Sequence, residues 1–165
     1  MKISKGNIWE FHDNGYSIVI PTNFGYNKNR QNIMGAGLAL QAKLKFSDLP
    51  DIYGKLIINY INSKEGIFNS ETFYIKKYKL FMFPTKSLNR EKPHLSWKKN
   101  SDLSTITQSC ISMLKLYSDL LERGNIFSKI YLPMVGGGLG NLDKEDVKSV
   151  LNKFLSDDFI LLENN

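Results

Sequence analysis

Two glycine clusters and one lysine are the residues here whose types and spacing could do chemistry. Gly35-Ala36-Gly37 stands where a polar loop passes into an amphipathic run beginning at Leu38. Gly136-Gly137-Gly138-Leu139-Gly140 follows an apolar run and precedes a second amphipathic one. Backbone N–H groups at a helix N-terminus are free donors, and the helix dipole there favours an anion. Glycine lets a phosphate come close to that backbone. One such cluster alone is more simply a tight turn; two, each after a strand-like run, point to a clamp on both halves of a diphosphate. Neither loop ends in Gly-Lys-Ser/Thr, and neither has the Gly-x-Gly-x-x-Gly spacing. Lys86 closes the apolar run "LFMFPTK". An amine there could contact phosphate, lie on the surface, or, if neutral, attack an electrophilic carbon.

These groups need elements to hold them. Residues 16–23, "YSIVIPTN", form an apolar run ending in Pro-Thr-Asn and predict a buried strand that delivers Asn23 to a loop over 24–33. A helix is expected over 35–46, with Ala36, Ala39, Leu40 and Leu44 on its dry side and Gln41, Lys43 and Lys45 on its wet side. A second helix follows Ser47 or Asp48, with Gly54 as a point of interruption. Residues 72–77 and 78–85 alternate with aromatics and predict two strands. The strongest helical pattern covers 101–125: Leu103, Ile106, Cys110, Met113, Tyr117 and Leu120 share one face, Ser101 is the expected N-cap and Gly124 the residue past the C-cap. Cys110 on that face is expected to be structural. A strand over 129–135, a helix over 143–155 with acids in its first turn, and a strand over 159–165 complete the pattern. Alternating strands and helices predict an α/β class, with a parallel or mixed sheet between two helical layers. In such folds ligands lie beyond the carboxyl ends of the strands, which directs attention to Thr22-Asn23, Thr85-Lys86 and the glycines after Val135.

The chain has 165 residues, enough for one domain with a real core. Residues 1–165 are expected to form a single domain, with no repeat, linker or low-complexity tract. Its apolar runs are far shorter than the ~20 residues of a membrane span, and its N-terminus lacks a signal-peptide core. One cysteine fits a reducing compartment, so a soluble, cytoplasmic monomer is expected. With Cys110 and two separated histidines, His12 and His94, no protein-built zinc site is expected. The net charge is +6, yet residues 76–99 alone carry +7: Lys76, Lys77, Lys79, Lys86, Arg90, Lys92, Lys98 and Lys99 against Glu91. A solvated loop or a patch for nucleic-acid phosphates would each account for this.

Taken together, "KGNIW" at 5–9, "IVIPTN", "MGAGLALQAKLKF" and "LPMVGGGLGNLDKEDV" make the sequence resemble a macrodomain over residues 5 to about 155. The resemblance implies a three-layer α/β/α sandwich with a central mixed sheet, binding ADP-ribose. "LFMFPTK", "MGAG" and "LPMVGGGLG" are closest to the branch containing terminal ADP-ribose glycohydrolase and the antitoxin macrodomain that removes ADP-ribose from DNA. The resemblance assigns adenine to Asn7 and Ile8. It assigns the diphosphate to residues 34–38 (Met34, Gly35, Ala36, Gly37, Leu38) and 136–140 (Gly136, Gly137, Gly138, Leu139, Gly140). The distal ribose falls to Asn23, Thr85 is a further ADP-ribose contact, and the nucleophilic amine is Lys86.

Three departures follow from the same comparison. Asn7 replaces an aspartate that recognises adenine, Gly140 replaces the glycohydrolase's catalytic aspartate, and the 24–33 loop, with Lys28 and Arg30, is long. Glycine at the second position is also what the DNA-acting branch has. An ADP-ribosyl hydrolase acting on a nucleic-acid or protein conjugate is therefore expected, without cofactor or metal. The alternatives are an ADP-ribose 1″-phosphate phosphatase and a non-catalytic binder of ADP-ribose or a related NAD-derived signal. For a lysine nucleophile the amine must be partly neutral, and Arg90 and Lys92 are the cations near enough in sequence to help. His94 could shuttle a proton or be polar surface, and Trp97 could stack on a base or pack the loop.

Overall fold

The apolar runs assemble into one sheet. In chain order the elements are β1 (Lys2–Ser4), α1 (Ile8–Asp13), β2 (Ser17–Phe24), α2 (Gly37–Lys45), α3 (Leu49–Asn62), β3 (Phe73–Ile75), β4 (Leu80–Ser87), α4 (Leu103–Glu122), β5 (Ile130–Pro133), α5 (Lys144–Phe154) and β6 (Phe159–Leu162). This computed structural model describes residues 1–64, 69–88 and 91–163, with Trp97 described by its backbone only. Arg90 and the Trp97 side chain, both weighed above, lie outside the described residues.

The strand order is β1-β6-β5-β2-β4-β3, parallel throughout except for β3, which runs antiparallel to β4. The sheet is therefore mixed, as expected. Central β2 and β4 are buried on both faces, which is why they read as unbroken apolar runs rather than alternating ones. Val19, Phe81 and Phe83 face one core with Ile106, Cys110 and Met113 of α4 and Val147 and Leu151 of α5. Ile18, Ile20, Leu80 and Met82 face the other, with Ala42 of α2 and Tyr53 and Ile57 of α3. Two helical layers thus enclose the sheet. Among the described residues no helix is long and apolar enough to cross a membrane.

Cys110 is fully buried, and burial pushes its thiol up to about 12, so it is inert packing. Several expectations need correcting. Helix α2 begins at Gly37, not residue 35, and its packed side is Leu38, Ala39 and Ala42 with Phe46; Leu44, expected dry, is 77% exposed. Helix α3 is unbroken at Gly54. A Cβ there would lie 2.1 Å from the Arg30 carbonyl oxygen, so this glycine admits the 24–33 loop rather than ending the helix. The N-cap of α4 is Asp102, whose carboxylate accepts from the Thr105 N–H at 2.7 Å; Ser101 is left for another role. The run over 72–77 is strand only for Phe73–Ile75, then turns through a 3₁₀ stretch at Lys76–Tyr78.

Candidate functional site

Strands β2, β4 and β5 are parallel, so their carboxyl ends open on the same side of the sheet. There a cavity of about 300 Å³ is lined by Pro21, Thr22, Asn23, Ile33, Gly35, Ala36, Gly37, Leu38, Ala39, Thr85, Lys86, Ser101, Pro133, Met134, Gly136, Gly137, Leu139 and Gly140. Both glycine loops and Lys86 therefore share one space. Four residues assigned from sequence do not line it. Asn7 caps α1, its side-chain oxygen accepting from the Trp9 N–H at 3.0 Å; Ile8 is buried against the core; Met34 is 1% exposed and packs with Ile18 and Ile20; Gly138 is exposed at the start of a 3₁₀ stretch, Gly138–Gly140.

The first loop feeds α2, whose N-cap Ala36 has no side-chain cap. A helix N-terminus bordering a cavity favours an anion there, through its opening N–H groups and the helix dipole. Gly37 has φ +55, and a Cβ there would meet nothing within 4 Å: the space beside it is open. In the second loop Gly136 has φ +71 and is hemmed by Ile106 and Leu142, so it holds a turn that no side chain fits.

Lys86 reaches the cavity through a bulge. Thr22 pairs with Pro84, but Asn23 pairs with Lys86, so Thr85 is an extra residue in β4. In a regular strand neighbours point to opposite faces; the bulge lets Thr85 and Lys86 both line the cavity. The Lys86 Nζ donates to the Lys99 carbonyl at 2.8 Å. Burial holds its pKa below the ordinary lysine value. Among the described residues no carboxylate lines this cavity, and no three His, Cys, Asp or Glu side chains cluster as metal ligands.

Sequence reasoning missed Ser101. Its Oγ donates to Thr85 Oγ1 at 3.1 Å, and Thr85 Oγ1 donates to the Thr22 carbonyl at 3.4 Å. Its N–H bonds the Gly140 carbonyl at 3.0 Å, and the Asp102 N–H bonds the Thr85 carbonyl at 3.1 Å. Ser101 thus ties β4 to the second loop. The only available signal was the run Ser101-Asp102, two capping residues of which one cap uses only one.

The same contact explains Gly140. A Cβ there would lie 2.5 Å from Ser101 Oγ and 3.0 Å from its Cβ, so an acid at 140 is incompatible with this serine. Gly140→Ala is expected to destabilise the fold by about 1–3 kcal/mol, the usual cost of overpacking. Adding Ser101→Gly should return most of it. Urea unfolding of the three variants checks this, and equal midpoints for wild type and Gly140→Ala would refute the contact.

Beyond Lys86 a wider groove of about 1570 Å³ continues along the loop residues Phe24 to Asn29, then His94, Lys98, Lys99, and Thr105 and Gln108 of α4. Ile33 lines both spaces, and Ser87 of the groove directly follows Lys86. His94 is exposed in this outer groove, away from the inner lining. The +7 stretch is not one patch. Lys76, Lys77 and Lys79 precede β4 at its amino end, where Lys77 pairs with Asp48 and Lys79 bonds the Gly15 carbonyl. Among the described residues of the stretch, Lys86, Lys98 and Lys99 border the cavity or groove.

No protein-family model matches the sequence, and no curated protein is detectably similar to it. Solved structures are similar in fold. The macrodomain of Mycobacterium tuberculosis DarG superposes with a TM-score of 0.68 at 20% identity, covering 99% of this chain and 98% of that one. The macrodomain of Thermus aquaticus DarG gives 0.65 at 22%, covering 99% and 97%. Thermosipho africanus DarTG in complex with ADP-ribose gives 0.67 at 17%, covering 99% of this chain and 42% of that one. The chain has the macrodomain fold.

Proposed function

We propose that the chain binds ADP-ribose in the inner cavity and hydrolyses an ADP-ribosyl conjugate there through Lys86. One observation carries this reading: the β4 bulge sets a half-buried lysine in the same cavity as two glycine loops, the first of which opens a helix N-terminus. The similar Thermosipho africanus structure holds ADP-ribose. The diphosphate would lie between residues 35–38 and the second loop at Gly136, Gly137, Leu139 and Gly140, with the distal ribose between Asn23 and Lys86. Asn7 and Ile8 remain the proposed adenine contacts, outside the lining of the inner cavity.

The chemistry follows from the amine. A neutral Lys86 attacks the anomeric carbon as the bond to the conjugated group breaks. The leaving group takes a proton from the amine or from water, since among the described residues no acid lines the cavity. Water then resolves the adduct, releasing ADP-ribose and restoring the amine. Burial favours the neutral amine that the first step needs.

Incubation with ADP-ribosylated DNA, ADP-ribosylated protein and ADP-ribose 1″-phosphate tests the reading. Release of free ADP-ribose from the first or second supports it. Phosphate release from the third alone would make the chain a phosphatase, and tight ADP-ribose binding without any release would make it a binder.

The groove favours a nucleic-acid conjugate, because Lys28, Lys98 and Lys99 line it with Tyr26. Affinity for ADP-ribosylated single-stranded DNA should then fall with salt, by roughly 0.7 in log–log slope per phosphate contact. Replacing Lys98 and Lys99 by glutamine should flatten that slope and leave free ADP-ribose affinity unchanged. Identical slopes in titrations of wild type and variant would leave these lysines as solvated surface.

A further inference from the structure

Asn32 lies outside both linings, yet it is 2% exposed and its hydrogen bonds converge on the site. Its Nδ2 donates to the Asn23 side-chain oxygen at 2.8 Å, to the Gly25 carbonyl at 2.8 Å and to the Asn23 carbonyl at 3.2 Å. Turning the amide over would set an oxygen against three oxygens, so the orientation is fixed. Meanwhile Asn32 Oδ1 is buried without a hydrogen-bond partner among the described residues. An orphaned buried acceptor is destabilising. The arrangement therefore satisfies Asn23 at the expense of Asn32.

Asn23 is held at both ends as a result. Its Oδ1 accepts from Asn32, and its Nδ2 donates to the Ile33 carbonyl at 2.6 Å. A carboxamide nitrogen has two hydrogens. The second belongs to a residue that lines the cavity in register with Lys86.

The long loop is built to hold Asn32 there. Asn27 Oδ1 accepts from the N–H groups of Asn29 at 2.9 Å and Gln31 at 3.0 Å, and Arg30 sits at φ +62. The Gln31 side chain bonds Asp51, and the Asn32 N–H bonds the Pro50 carbonyl at 3.0 Å. Gly54 admits the loop against α3.

We propose that Asn32 is a positioning residue: it locks the carboxamide of Asn23 so that the nitrogen end donates to a ribose hydroxyl beside Lys86. This rests on the ADP-ribose reading. Asn32 also ties the loop through the Gly25 and Pro50 carbonyls, but its effect on ligand affinity runs through Asn23, which a plain structural role would not require.

A double-mutant cycle read by ADP-ribose calorimetry tests it, with melting curves confirming that each variant is folded. Asn23→Ala and Asn32→Ala should each weaken affinity about tenfold, the net worth of one hydrogen bond. The double variant should be no weaker than Asn23→Ala, because coupled residues are non-additive. If Asn32→Ala does not fold, Asn32→Ser, which keeps one hydrogen for Asn23, replaces it in the same cycle, with a smaller loss that again vanishes beside Asn23→Ala. Wild-type-like affinity in the Asn32 variant, or losses that multiply to about a hundredfold in the double variant, would overturn the positioning role alone. A wild type without affinity for ADP-ribose would overturn the proposed function and this role together.

Discussion

Lys86→Ala is expected to lower turnover of the ADP-ribosyl conjugate by at least about 10²-fold while leaving ADP-ribose affinity nearly unchanged. In the proposed mechanism the amine acts on the anomeric carbon in the transition state, whereas the glycine loops would supply ground-state binding. Lys86→Arg should not rescue, because a guanidinium stays protonated and cannot attack. The wild-type rate should rise with pH. Attack needs the neutral amine, whose share grows as pH climbs towards a pKa that burial holds below the ordinary value. Steady-state kinetics of the two variants against pH check all three statements. Turnover surviving in Lys86→Ala would move the chemistry elsewhere, and His94 in the outer groove would be the next residue to replace.

Gly37→Val should abolish ADP-ribose binding. Gly37 lines the cavity at φ +55 with open space beside it, so on the proposed reading a side chain there would intrude on the volume assigned to the ligand. A β-branched residue also strains that backbone by roughly 1–2 kcal/mol. Gly138→Val separates the two effects. It has the same backbone strain at φ +56 and equally open space, but lies outside the cavity lining. It should lose similar stability and keep measurable affinity. Calorimetry and melting of both variants decide the matter; unaltered binding in Gly37→Val would remove the first loop from the site.

The layered α/β architecture was legible because β2 and β4 are buried on both faces and α4 carries a long apolar stripe. Those are the features that hydrophobic period reports directly. Strand β1 and helix α1 were not. Lys2–Ser4 is three exposed residues, an edge strand held by backbone pairing to β6, and pairing leaves no mark on side-chain pattern. Leu44 misled for a related reason: helical spacing puts it with Leu40, but the sheet takes the neighbouring stripe through Ala39 and Ala42.

At the site, the glycine loops and Lys86 were visible by type and position. The bulge that brings Thr85 and Lys86 to one side was not, because it is a matter of register with β2. The role of Ser101 was hidden for the same reason, since it acts on Gly140 across the fold. Asn32 stood out as a polar loop residue, but its bond back to Asn23 at the end of β2 was not legible. The charge count also misled. Lysines adjacent in sequence on either side of β4 end up at opposite ends of an eight-residue strand.

The central claim is that Lys86 forms the bond to the distal ribose. Borohydride added during turnover of an ADP-ribosylated conjugate, followed by peptide mass spectrometry, tests it most directly, since a ring-opened imine on lysine is reduced to a stable amine. The account predicts an ADP-ribose-sized adduct on the peptide containing Lys86, and none in Lys86→Ala. Free ADP-ribose released at the full rate with the adduct missing, or fixed to another residue, would contradict it.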